Sequence, residues 1–588
     1  MGESAGAVHE YPWERHYPPD VDWHAPIVPA PLWGLLDDSA ARFPDRPCLH
    51  FLGRSWTYRQ TRALVDRAAC GLQALGVVKG TRVGLFLPNT PYSVIVFYAV
   101  LKAGGTVVNF NPLYAEQEVI HQIDDSGTET MVTLDLAILY DKLKPHLDAG
   151  RLKRLVICSM AAILPFPKNW LFPLVRRRDL AAIAWDDRHI PFARLTRGGS
   201  RPAPVAIDAC DDVAVLQYTG GTTGVPKGAM LTHANLYANA VQCSLWFPHA
   251  NPGQEKMLGV LPLFHVFAMT AVMNLSIRLG AEIVLLPRYD LNDVMRTIQE
   301  RRITLFPAVP TIYTAINQHK DIKSFDLSSI RYCLSGGAAL PLEVREIFER
   351  NTGCTLVEGY GLSESSPVAA GNPIYGGLLY ANGKPGSIGL PLPGTVIEIV
   401  SLDEPRRVLP IGEKGEICLS GPQIMKGYWN KPQETALTLM DGRLHTGDVG
   451  IMDEDGYIFI VDRIKDMILC SGFNVYPRNV EEAIYQHPAV AECVVAGVDD
   501  SYRGQTVKAY IRLSDGQTLT REELVGFLKD KLSPIEMPKQ VEFRGDLPKT
   551  MIGKLSRKAL LDEERQRQRE SGTPGNGRNG GGEGDARV

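Results

Sequence analysis

The sequence has little of what marks a secreted, lipid-spanning or nucleic-acid-binding chain. Its ten cysteines, among 588 residues, lie far apart, with no Cys-x-x-Cys pair and no cluster with histidine at metal-ligand spacing. That argues against a disulfide framework or a zinc knuckle and suits reduced, mostly buried thiols of a cytosolic protein. A surplus of one charge is also missing. The formal net charge is −4, whereas general nucleic-acid binding needs a basic footprint, so no nucleic-acid partner is expected. The opening run MGESAGAVHEYPWERHYPP lacks the basic segment and apolar stretch of a signal peptide. Gly6 stands where a myristoylation signal carries Ser or Thr, and the closing DARV is not a peroxisomal address. A cytoplasmic location is the expectation.

Long apolar runs are scarce as well. The exception is 21 residues without a formal charge between Lys256 and Arg278, long enough for a bilayer. Pro262, His265, Thr270, Asn274 and Ser276 are liabilities in lipid, so a buried strand and helix is favoured over a span.

What is present is the composition of a large globular core, 45% hydrophobic and 22% charged. At roughly 150 residues per domain the length allows several domains or subdomains. Short apolar β-rich runs alternate with helix-period stretches. DVAVLQYT (212–219) reads as a strand, and Thr232 as the cap of a helix through HANLYANAVQ. EIVLLP, ITLFPAV, RYCLSGG and CTLVEGYG read as further strands, with helices near 291–300, from Pro310 and from Pro341. Such alternation implies an α/β protein with mainly parallel sheets and helices on both faces, whose ligands sit at the carboxyl ends of the strands. After about residue 385, GSIGLPLPGTVIEIV and GEICLSG look antiparallel. Beyond VDRIKD the chain reads as a small α+β unit, with helices near 480–486 and 522–531. From Asp562 onward the chain has almost no apolar residues and is rich in Gly, so 562–588 is expected to be a disordered tail.

The segment AAILPFPKNWLFPLVRRRDL (161–180) has two readings. One is a surface loop tucking its aromatics into the domain. The other is a patch at the inner face of the membrane, with aromatics among the headgroups and arginines facing anionic lipid.

The run QYTGGTTGVPKGAMLTH (217–233) groups hydroxyls, glycines and a cation. It is not the Gly-x-x-x-x-Gly-Lys phosphate loop, because Lys227 follows Pro226. The physics is shared, however. Gly220, Gly221 and Gly224 let backbone N–H groups approach an anion, Thr219, Thr222 and Thr223 add donors, and Lys227 adds charge. A flexible turn is the alternative.

This run is followed, in order, by EGYGLSES, HTGDVG, VDRIKDMI, SGFNVYPRNVE and LPKTMIGKLSR. With them the chain, over roughly residues 20–560, resembles the adenylate-forming superfamily of acyl-CoA synthetases, luciferases and adenylation domains. LQYTGGTTGVPKGAMLTH and LPLFHVF look most like bacterial medium- and long-chain fatty acid–CoA ligases. The resemblance implies a large N-terminal domain (1–464) of two doubly wound sheets plus a distorted antiparallel barrel, and a small mobile α+β C-terminal domain (465–561). It implies that ATP, Mg²⁺ and a fatty acid give acyl-AMP and pyrophosphate, after which CoA displaces AMP.

The implied roles follow by position. Lys554 is the catalytic lysine bridging carboxylate and α-phosphate, and Thr223 belongs to the catalytic loop. Glu364 and Thr219 hold Mg²⁺. Ser363 keeps a hydroxyl where many relatives have Thr, whereas Gly220 replaces a common Ser or Thr and removes one donor. Tyr360, within Glu358, Gly359 and Gly361, packs on adenine, with Gly336, Gly337 and Ala338 on the other side. Asp448 accepts the ribose hydroxyls, and Arg463 contacts ribose or phosphate. His265 is either a satisfied core histidine or a neighbour of the reacting carboxylate. Lys465 is the hinge about which the small domain turns, and Gly472 lies on the face that leaves room for pantetheine. No carrier domain is expected, and Phe264-His265 replace the Asp with which amino-acid-activating relatives hold an α-amine. Dicarboxylic and aryl acids stay open as substrates, transfer to a carrier-protein thiol as an alternative second step, and an oligomer as an assembly.

Overall fold

The computed structural model describes residues 11–219, 226–375, 378–379, 383–470, 473–500, 504–550 and 553–571. The described residues up to Lys465, with Gly553 and Lys554, form one compact unit. Asp466–Thr550 and the described residues from Leu555 onward form the other. The change of unit thus falls one residue after the expected boundary at 464, and the short piece around Lys554 groups with the larger unit.

The larger unit carries two mainly parallel sheets, of nine and eight strands. In the first, Lys256–Gly259, Leu305–Ala308, Tyr332–Ser335 and Leu356–Gly361 are successive parallel neighbours. Their carboxyl ends therefore lie side by side, and the loops leaving them meet at one rim. In the second, Val213–Thr219 pairs in parallel with Thr106–Asn109 and antiparallel with Lys227–Thr232. The two parallel strands are short and almost wholly buried, as strands covered on both faces should be. The Gly/Pro-rich region after 385 forms a five-stranded antiparallel sheet built on Val396–Val400, Gly415–Ser420, Arg443–Met452 and Ile458–Arg463.

Local signals hold where the physics is local. Thr232 caps the helix His233–Leu245, its hydroxyl accepting the Asn235 N–H. Asp290 does the same for Leu291–Arg301. The uncharged stretch after Lys256 is a buried strand followed by a helical run, Val266–Ala268, the π-helical Met269–Asn274 and Leu275–Leu279. No helix among the described residues is long and apolar enough to cross a membrane.

In the smaller unit one strand feeds two cores. Along Val490–Asp500, Cys493 and Val495 enter one apolar cluster while Val494 and Ala496 enter another. That is the period-two alternation of a strand covered on both faces. The second cluster includes Leu560 of the helix Arg557–Ser571.

Two expectations are corrected here. The chain from 562 to 571 is helical rather than disordered. Its charges meet partners on or next to the sheet strands. Glu564 bonds Lys508 at 2.8 Å, Glu563 bonds Arg544 at 2.8 Å and Arg567 bonds Glu542 at 3.2 Å. Residues 572–588 lie outside the described residues. In the 161–180 segment the aromatics are not uniformly tucked in. The helix Lys168–Val175 has no buried residue, and Phe166 and Trp170 are 82% and 77% exposed, while Phe172 alone of its aromatics packs on the core.

Candidate active site

The run 217–233 contributes to two antiparallel strands, Val213–Thr219 and Lys227–Thr232. Thr219 and Lys227 are opposite each other across antiparallel strands, which brings a hydroxyl-bearing and an ammonium-bearing residue together. Gly220, Gly221, Thr222, Thr223 and Gly224 lie outside the described residues. On its other edge Lys227–Thr232 pairs with Gly427–Tyr428. The Lys227 ammonium stands 5.3 Å from the Tyr428 ring centroid, within cation–π range. The Tyr428 hydroxyl donates to Glu364 Oε1 at 2.6 Å. Glu364 sits with Ser363 on the short turn Ser363–Ser365, and its carbonyl accepts the Met425 N–H at 2.8 Å. Tyr428 thereby joins the cation and the carboxylate at one edge. Among the described residues Glu364 has no ion-pair partner. The Glu364 carboxylate and the Thr219 hydroxyl are hard oxygen donors, the kind of ligand Mg²⁺ takes.

A second group lies at the rim of the nine-stranded sheet. Gly336 and Gly337 leave Tyr332–Ser335, and Tyr360 lies near the end of the neighbouring Leu356–Gly361, with Ser335 in register with Glu358. Glu358 is buried and accepts the Leu340 N–H at 3.3 Å, so it braces the turn that carries Gly336, Gly337 and Ala338. Gly361 must be glycine, because an added Cβ would lie 1.9 Å from the Pro367 carbonyl oxygen. Gly337 has φ +83°, and a Cβ there would come within 2.8 Å of Lys554 Cε. Its missing side chain is the space the lysine stem occupies.

Lys554 is held close to charge. Burial draws its ammonium down to about 8, Arg463 acts in the same direction, and Asp448 opposes both. The adjacent Gly553 carbonyl accepts the Thr311 hydroxyl at 2.6 Å, which fixes the approach of the loop. Asp448 is almost fully buried. Its Oδ1 accepts Arg463 Nε–H at 2.7 Å and its Oδ2 accepts the Tyr360 hydroxyl at 2.6 Å. The phenol of Tyr360 is therefore tied to the carboxylate, and burial with Asp448 beside it raises its pKa.

His265 is brought to the same region. Its Nδ1 accepts the Phe267 N–H at 3.2 Å, which leaves the proton of the neutral ring on Nε2 as a donor. Burial and the Lys554 charge hold its pKa at about 3, so the imidazole is neutral under ordinary conditions. It is both a satisfied histidine and a neighbour of the lysine. Phe267 in turn packs where a Cβ on Gly336 would lie, 2.9 Å from its Cζ. Lys465, on the turn Ile464–Asp466, is exposed at the change of unit. Gly472 lies outside the described residues.

Sequence reasoning missed Tyr428, Thr311 and Glu416. Tyr428 follows a glycine in MKGYWN, a pattern with no chemistry of its own. Thr311 was legible only as a helix start, and Glu416 only as part of a strand. What all three do depends on pairings between distant segments.

The arrangement offers a cation, a buried carboxylate with two donors and a neutral imidazole, beside an edge that joins a second cation to a second carboxylate. Residues 36–429 match the model of the AMP-binding enzyme family, and residues 479–554 that of the AMP-binding enzyme C-terminal domain. The chain is 46% identical over 564 residues to a long-chain-fatty-acid–CoA ligase of Bacillus subtilis (strain 168), covering 94% of this chain and 98% of the relative. It is 37% identical over 565 residues to one from Escherichia coli O6:H1, with the same coverage. Among solved structures, ATP-bound MatB from Rhodopseudomonas palustris superposes with a TM-score of 0.79 at 26% identity, over 92% of this chain and 100% of that one.

Proposed function

This chain belongs to the AMP-binding enzyme family, and from that premise we propose that it activates a medium- or long-chain fatty acid with ATP and passes the acyl group to CoA. The products are acyl-CoA, AMP and pyrophosphate, and the enzyme class is an AMP-forming acid–thiol ligase. The observation that carries the reading is Lys554, a buried cation beside Asp448, Arg463 and His265 in a chain whose resemblance to fatty-acid ligases runs nearly end to end.

The first step joins two anions, so the site must supply positive charge and fixed geometry more than covalent chemistry. A single ammonium about 4 Å from unit negative charge is worth on the order of 4 kcal/mol at an effective dielectric near 20. In our reading Lys554 bridges the fatty carboxylate and the α-phosphate, and the neutral Nε2–H of His265 orients the carboxylate. Asp448 accepts the ribose hydroxyls, each of its oxygens having a lone pair beyond those used by Tyr360 and Arg463. Tyr360 and Gly336–Ala338 take adenine. Lys227 and the turn 219–224 take the β- and γ-phosphates. Magnesium, when bound, would be held by Glu364 and Thr219 and would supply further neutralisation of the phosphates. In the second step the small domain turns at Lys465 and offers the face bearing Gly472 to the pantetheine.

Acid-dependent release of AMP tests the activity, measured with CoA against a holo-carrier protein. A panel of C4 to C18 acids with ω-carboxyl and aryl members tests the substrate class. Release that needs CoA and rises with alkyl length is expected, with neighbouring lengths overlapping because one methylene is worth only about 0.8 kcal/mol. Preference for a dicarboxylate or an aryl acid would replace the fatty-acid reading.

One observation favours a peripheral contact of this cytoplasmic enzyme with the inner face of the membrane. Phe166, Trp170, Leu174 and Val175 are exposed next to Arg176, Arg177 and Arg178, the combination an anionic interface accepts. Sedimentation with anionic vesicles that is lost in Trp170→Glu is the expected result; equal binding by both proteins would remove the contact.

A further inference from the structure

The strand pairing around Asp448 is irregular in a specific way. Gly415–Ser420 and Arg443–Met452 are antiparallel, with Glu416 opposite Val449 and Cys418 opposite His445. Three residues, Thr446, Gly447 and Asp448, therefore stand opposite the single residue Ile417. This is a bulge, a device that re-aims a side chain at the cost of ladder hydrogen bonds. Gly447 adopts φ +72° within it.

An irregular turn of this kind needs its freed backbone groups satisfied. Glu416 does so with one carboxylate. Its Oε1 accepts the Gly447 N–H at 2.8 Å, and its Oε2 is 2.8 Å from His445 Nδ1. Both side chains are nearly enclosed, 13% exposed for Glu416 and 7% for His445. Thr446 closes the other side, its hydroxyl donating to the Ile417 carbonyl at 2.7 Å and accepting the Asp448 N–H at 3.0 Å.

We infer that Glu416, held by His445, is a positioning residue that fixes the 446–448 bulge and so aims the Asp448 carboxylate at the nucleotide ribose. The inference rests on the ribose role given to Asp448 above. Glu416 touches no substrate; it acts through the Gly447 amide one residue away. The same cluster could also be considered for a metal, since ligand atoms of Glu416, Cys418 and His445 lie within 4.8 Å of one another. Two observations oppose that use. Both oxygens of Glu416 already bond to donors, and burial raises the Cys418 thiol far above its ordinary range, which keeps it protonated.

The test compares apparent KM for ATP and for 2′,3′-dideoxy-ATP in acid-dependent AMP release. In the native enzyme the deoxy nucleotide should be weaker by about tenfold or more, as loss of charge-assisted hydrogen bonds requires. Asp448→Ala should bring the ratio near one. Glu416→Ala should lower it most of the way, with kcat at saturating ATP changed by less than about threefold, because the ribose hydrogen bonds serve binding rather than the chemical step. Glu416→Gln keeps an acceptor for Gly447 and should retain an intermediate ratio. His445→Ala leaves that acceptor but frees its carboxylate, and carries the same expectation at smaller amplitude should Glu416→Ala not fold. A native ratio in the Glu416 and His445 variants, with KM raised equally for both nucleotides, overturns the inference while leaving Asp448 its role. A native ratio in Asp448→Ala overturns both. Stoichiometric zinc in the purified protein that disappears in Cys418→Ser overturns it in favour of a metal site.

Discussion

At the scale of single residues, the chemistry turns on which groups are charged. Lys554 is drawn down to about 8 and His265 to about 3. In the role proposed for Lys554 the active form is the ammonium, present below its pKa, so kcat/KM for adenylation should be level near neutrality and fall as pH rises through about 8. His265 should add no limb near 6.5, because it is neutral on both sides of that value. Lys554→Ala should cost adenylation about a hundredfold or more, the usual effect of removing one transition-state interaction. It should spare thioester formation from supplied acyl-AMP, measured in the same assay with the adenylate added. If both half-reactions fell together, the lysine would not belong to the first step alone. The residue types were legible in the sequence because the motif LPKTMIGKLSR marks Lys554 and HTGDVG marks Asp448. What was not legible is that Gly337 yields its side-chain space to the lysine stem, or that Tyr360 and Arg463 share Asp448. Those interactions join segments far apart in the chain.

At the scale of elements, the strands and caps written into local sequence were readable, and the deviations arise where distant partners decide. Thr232 announces a helix because a capping hydroxyl acts within three residues. The helix at 557–571 was not announced, since its low apolar content hides ion pairs with Lys508, Arg544 and Glu542, which lie outside the helix. The bulge at 446–448 was likewise invisible until the register of two strands was known. Element-level tests follow from the tightest turns. Gly361→Ala would put a Cβ 1.9 Å from a backbone oxygen that cannot yield cheaply. It should cost at least about 2 kcal/mol of stability, read as a lowered denaturant midpoint, with overpacking as the cause. Tyr428→Phe removes the donor to Glu364 but leaves a ring for Lys227. An altered magnesium dependence of adenylation with little loss of thermal stability is expected; an unchanged magnesium titration would detach Tyr428 from the proposed phosphate site.

At the scale of the molecule, acid should weaken the fold. Burial lowers His50 and His233 to about 4 and His265 to about 3. The folded state thus binds fewer protons than the unfolded chain, whose histidines titrate near 6.5. Stability contributed this way is present above about 6.5 and declines as pH falls toward 4. Calorimetric midpoints should drop over that window, less steeply in His233→Asn, which preserves an acceptor for the Leu32 N–H that His233 Nδ1 now takes at 3.3 Å. The two-unit division was legible from the change of composition near VDRIKD, and the α/β class from the alternation of strand and helix periods.

The most direct measurement is exchange of labelled pyrophosphate into ATP by the purified enzyme, with and without a fatty acid and in the absence of CoA. Exchange that requires the acid and magnesium, and that falls about a hundredfold in Lys554→Ala, is the expected result. An enzyme that binds ATP but exchanges no pyrophosphate with any acid from C4 to C18, or one whose exchange survives loss of the lysine, would contradict the account.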